Sequence, residues 1–135
     1  VEMLEIRKKI ELGYMRQAYN ALTDDDVRRI RGILEDIKAK WEKQIFFHAD
    51  DRAFHMALFE HLENRTLFSL LNAIWSVDEH FKTEDKAKYL DDTIVKHENI
   101  VRALEHHNQE AFEAAMLAHF SSGKYSRNAE NFAEY

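Results

Sequence analysis

The chain has 135 residues, 45% hydrophobic and 33% charged, with three glycines and neither proline nor cysteine. That is enough for one domain, and it excludes disulfides, thiolate metal sites and cysteine nucleophiles together. A formal net charge of −6 argues against nucleic-acid binding by this chain itself, which would need clustered lysine and arginine. The basic groups Arg28, Arg29, Arg31 and Arg7 to Lys9 are interleaved with acids and read as solvated helix faces. No apolar run of about 18 residues offers a membrane span. The N-terminus shows no secretory pattern, and the absence of cysteine fits the expectation of a cytoplasmic protein.

Six helices are predicted, without a strand, linker or repeat. The first runs from about Glu2 to Ala21, with Leu4, Arg7, Ile10, Tyr14 and Ala18 along one side. Thr23 and Asp26 form an N-capping signature for a second helix reaching about Lys43. Its residues Val27, Ile30, Leu34, Ile37 and Trp41 keep helical spacing. A third helix covers Phe47 to Leu62, and Asn64 supplies its stop. The fourth, Thr66 to Phe81, is apolar on most sides and so is expected at the centre of a bundle. Thr83 or a nearby acid begins a fifth helix that runs to about His106. Asn108 caps the sixth, Gln109 to about Ser122, with a possible extension past Gly123. The fold class is all-α, an antiparallel helical bundle in a single domain over 1–135.

Four polar residues fall on the apolar stripes of these helices. Asp51 and His55 share a face with Phe47, Leu58 and Leu62. His97 lies in the stripe Leu90, Ile94, Val101 and Leu104, and His119 lies with Phe112, Ala115 and Met116. A buried imidazole or carboxylate is costly unless it is paired or ligated. Asp51 and His55, one helical turn apart, project from one face. His97 and His119 stand equally far before and after Asn108, so an antiparallel hairpin sets them at one level. Three helices then deliver four ligands to one depth of a bundle. Three nitrogens and one oxygen suit zinc, nickel, manganese or iron better than calcium or magnesium. The competing reading is a hydrogen-bonded core network without metal. His48, His61, His106 and His107 are expected at the surface, whereas His80, one turn beyond Trp75 and Ser76, is a candidate to face a cavity. No phosphate loop, nucleophile elbow or paired Glu-x-x-His motif is present.

The segment Asp51-Arg52-Ala53-Phe54-His55-Met56-Ala57-Leu58 resembles the D-x-x-F-H-x-x-L signature of the FCD domain. That is the effector-binding C-terminal domain of the FadR branch of GntR-type transcriptional regulators. Glu5 to Glu11 resembles the family's E-x-R-x-x-[LI]-E first helix, His97 to Leu104 its H-x-x-I-x-x-A-[IL] stretch, and Met116 to Phe120 its closing M-x-x-H-[LF]. The resemblance extends from Val1 to Phe120. It implies a divalent metal, zinc before nickel or manganese, on Asp51, His55, His97 and His119. It also implies a small carboxylate or sugar-acid effector beside that metal, with Arg7 reaching the effector. Homodimerisation is expected, with DNA contacted only through a winged-helix domain that precedes this one in the family and is absent from this chain. Two departures stand out. The basic residue that often follows the fourth helix's tryptophan is missing after Trp75, and His80 is the candidate substitute. The family's A-G-N turn reads Leu62-Glu63-Asn64. The leading expectation is thus a non-catalytic sensor of a bacterial regulator. The alternatives are a small metalloenzyme acting on an organic acid and a purely structural helical module.

Overall fold

The computed structural model describes residues 2–80 and 87–120, and of 78–80 and 87–90 the backbone alone. The described residues form six helices: α1 Glu2–Ala21, α2 Asp24–Glu42, α3 His48–Leu58, α4 Arg65–His80, α5 Ala87–Glu105 and α6 Gln109–His119. This is the predicted helical bundle. The start of the fifth helix near Thr83 and the extension past Gly123 lie outside the described residues.

Side-chain caps account for the starts of α2, α4 and α6. Thr23 caps α2 in a reciprocal box: its hydroxyl accepts from the Asp26 amide at 3.2 Å, and the Asp26 carboxylate accepts from the Thr23 amide at 2.8 Å. Asn108 caps α6 by accepting from the Ala111 amide at 3.0 Å. Asn64 acts differently from the expectation. It does not stop α3, which ends four residues short of Leu62. Its side chain instead accepts from the Leu67 amide at 2.9 Å and opens α4. An asparagine between two helices reads either way in sequence, because its short amide satisfies free helix N–H groups as readily as it breaks a turn.

The principal packing contacts close a ring, running from α1 to α4, α3, α2, α5 and α6 and back to α1. Its interior is filled by Ile30, Leu34 and Ile37 of α2, Phe54 and Leu58 of α3, Leu71 of α4, Ile100 and Val101 of α5, and Phe112 and Met116 of α6. Burying each of these contributes roughly 1.5–3 kcal/mol. Helix α4 is a member of this ring and not its centre. Leu67, Leu71, Ile74 and Trp75 point inward, while Leu70 and Val77 are 49% and 39% exposed on the opposite face.

Candidate metal centre

Each of the three predicted histidine ligands is buried, at 0% exposure for His55, 1% for His97 and 4% for His119. They come from α3, α5 and α6 respectively. Their ring centroids lie 4.8–5.4 Å apart, and one nitrogen from each lies within 4.8 Å of the others. The hairpin symmetry about Asn108 brings His97 and His119 to one level, with centroids 4.9 Å apart. Tetrahedral zinc holds its nitrogens about 2.1 Å away, hence roughly 3.4 Å from one another, so the three rings stand near ligating separation.

Asp51 stands in the first turn of α3, where the helix dipole favours a carboxylate. Its Oδ1 lies 2.7 Å from His97 Nε2 and 3.6 Å from His55 Nε2. The four predicted residues are therefore together. His97 shows where a cation fits. Its Nδ1 donates to the Thr93 carbonyl at 2.7 Å, while its Nε2 faces Asp51 Oδ1 at the same distance. A neutral imidazole has one N–H to give, so two acceptor oxygens call for a second proton or for a cation shared by Nε2 and Asp51. His55 poses the complementary case. Its Nδ1 donates to Glu11 Oε1 at 2.7 Å, and its buried Nε2 has no hydrogen-bond partner. Desolvation holds His119 well below the usual 6.5; nearby His55, His97 and Arg7 push the same way, and Asp51 opposes them. Neutral imidazole is the form that coordinates. The donor set fits a divalent transition metal.

Glu11 was not among the predicted residues. It is wholly buried and sits on the stripe Leu4, Arg7, Glu11 and Ala18 that α1 turns inward. Arg7, predicted to face the site, is also buried. Its guanidinium lies 3.9 Å from the Trp75 ring centroid, and its Nε is 3.6 Å from Glu11 Oε2. Trp75 in turn packs against His55 at 5.0 Å between centroids. Arg7, Glu11 and Trp75 thus form the neighbourhood of His55, one of the candidate ligands. His80 closes α4, but its side chain is outside the described residues. Among the described residues, surface grooves lie away from this centre. One, of about 650 Å³, is formed by α1 residues such as Tyr14 and Gln17 with His61 to Asn64. Another, of about 510 Å³, runs between α5 and α6 over Ala103, Ala111 and Ala115. His61, expected at the surface, is 46% exposed there and meets Asp26 Oδ1 at 2.9 Å.

The FCD domain model matches residues 2–122. The chain belongs to the FCD domain family. FCD domains are parts of GntR-type transcriptional regulators, so the resemblance read from the sequence holds, and the class is that of a regulatory domain. Among curated proteins the chain is 30% identical to the HTH-type transcriptional regulator LutR of Bacillus subtilis (strain 168), over 96% of this chain. The match takes in 65% of LutR's length. Among solved structures, E. coli McbR/YncC shares the fold with a TM-score of 0.71 at 19% identity, over 99% of this chain and 68% of that one. No described helix is long and apolar enough to cross a membrane.

Proposed function

We propose that this FCD domain is a metal-dependent sensor of a small carboxylate or sugar acid. Asp51, His55, His97 and His119 would hold a divalent ion, zinc in preference to nickel or manganese. The observation that carries the reading is the convergence of three buried imidazoles from separate helices, two of them beside the Asp51 carboxylate, near a buried arginine. A metal-free core gains little from that arrangement, because buried polar groups cost stability unless each is satisfied. An ion held there by Asp51, His55, His97 and His119 would supply a Lewis-acidic anchor for a carboxylate effector.

The protein's own residues do the rest. Arg7 can grip a carboxylate through two parallel hydrogen bonds, and stacking on Trp75 holds its guanidinium plane. Trp75 Nε1 is buried with no hydrogen-bond partner, so it is a donor available to the same anion. This indole stands in for the cation missing after Trp75, and His80 at the end of α4 is a further candidate contact. No catalytic role is proposed. In the longer regulator, ligand binding here would shift the arrangement of paired winged-helix domains on DNA, with the FCD domains associating as a homodimer.

Thermal melting of the zinc-loaded domain against monocarboxylates, hydroxy acids and sugar acids tests the reading. At one hundred times its Kd a cognate acid stabilises by about 2.7 kcal/mol, which raises Tm by on the order of 10 °C for a domain of this size. Arg7→Gln should retain zinc and lose that response. An acid panel that never shifts the zinc-loaded protein, or an Arg7→Gln variant that responds in full, would refute it.

A further inference from the structure

Helix α1 enters the metal centre through Glu11, and the geometry of that contact is specific. The Glu11 carboxylate is wholly buried, and so is His55, the ring it touches. Oε1 accepts from His55 Nδ1 at 2.7 Å. That bond fixes the proton on Nδ1, which leaves the Nε2 lone pair pointing away from Glu11. It is Nε2 that lies 3.6 Å from Asp51 Oδ1, unpartnered by any hydrogen bond and sealed from solvent. The second carboxylate oxygen, Oε2, has no hydrogen-bond partner either. It lies 3.6 Å from Arg7 Nε, beyond hydrogen-bonding distance.

A carboxylate kept only for stability would not be held this way. Burying an anion is costly, and an apolar side chain of similar volume commonly serves a core as well or better. Here a carboxylate occupies the core, with one of its oxygens committed to a histidine and the other facing an arginine. We propose that Glu11 is a positioning residue of the metal centre. It selects the Nδ1–H tautomer of His55, sets the ring so that Nε2 is the ligand atom, and makes that nitrogen a stronger donor through its charge. Its second oxygen places it beside Arg7, so one side chain of α1 joins the ion's ligand shell to the cation assigned to the effector. This inference rests on the metal reading above.

Zinc alone serves as the probe. Zinc affinity is measured by competition with a chromophoric chelator for the wild-type domain, Glu11→Gln and Glu11→Ala. The His55 tautomer is read from long-range 1H–15N correlations in the metal-free protein, which registers the hydrogen bond itself. Loss of an outer-shell partner of a ligating histidine lowers affinity by roughly 10–100-fold. Glu11→Ala should fall in that range, and its His55 should become a tautomer mixture. Glu11→Gln keeps an acceptor and loses the charge, so it should retain the Nδ1–H form with an intermediate affinity. Being nearly isosteric, it carries the comparison if Glu11→Ala does not fold. Zinc affinity within twofold of wild type in the variants, with the tautomer unchanged, would overturn the role of Glu11 and leave the metal reading intact. A wild-type domain that binds no zinc would overturn both.

Discussion

Desolvation and two neighbouring imidazoles disfavour the protonated form of His119, the predicted ligand on α6. An unfolded chain takes up a proton on this side chain as pH falls through about 6.5, whereas the folded protein does not until well below that. Folding stability of the metal-free domain should therefore be retained above about pH 6.5 and decline as pH drops below it. Urea midpoints compared at pH 7.5 and 5.5 measure the slope, and His119→Leu should flatten it. An unchanged slope in that variant would show that other groups set the acid sensitivity. The four polar residues were legible in the sequence because each interrupts an apolar stripe, which charged residues rarely do by accident. Glu11 was not, for a related reason. It follows Arg7 by one turn in a helix rich in acids and bases, and such pairs normally decorate the solvated side. The usable signal was the three–four spacing of Leu4, Arg7, Glu11 and Ala18, which puts both charges on the line that packs.

At the level of helices, the depth of His97 depends on how α5 sits against α2. Arg31 of α2 reaches across to Glu98 and Glu105 of α5 with four hydrogen bonds of 2.8–3.0 Å, and also bonds Glu35 on its own helix. Lys38 adds a 2.6 Å bond to Glu98. Arg31 and the other cations hold the Glu98 carboxyl well below the usual carboxylate range. Glu98 is next to His97 in the chain, so this clamp holds the segment that carries His97 in register. Arg31→Leu removes the shared cation and leaves carboxylates facing each other. The expected loss is about 1–2 kcal/mol, more than an isolated surface pair gives. It should show as a lower urea midpoint near neutral pH and shrink as pH falls through about 4.5 and below, where the unfolded carboxylates protonate. A variant as stable as wild type at neutral pH would contradict the clamp. Helix starts were readable from Thr23 and Asn108, but helix ends were harder. Gln44 and His107 close α2 and α5 with φ of 61° and 55°, the left-handed conformation usually given to glycine. Without a glycine to mark them, these stops gave the sequence little to show. The end of α3 was likewise overshot, because Phe59 and Leu62 are both buried and extend the apolar pattern beyond the helix.

For the molecule as a whole, the ring of six helices explains why one site gathers residues from so many elements. Helices α3, α5 and α6 present the imidazoles, α1 presents Arg7 and Glu11, and α4 presents Trp75. Helix α2 braces α3 and α5 from outside that set. The family and the helical class were both legible in the sequence, because motif order and apolar periodicity survive at low identity. The central position given to α4 was not borne out, since composition cannot say which side of a largely apolar helix remains uncovered. Metal binding should be the hinge of the whole arrangement, for an ion that joins three helices binds the folded form alone and stabilises it. The direct test is the metal content of tag-free protein by elemental mass spectrometry, beside an Asp51→Ala/His97→Ala double variant. About one transition-metal ion per chain, absent from the variant, is the predicted result. No metal in the wild-type protein, even after loading with zinc, nickel and manganese, would contradict the account and reduce the four residues to a hydrogen-bonded core.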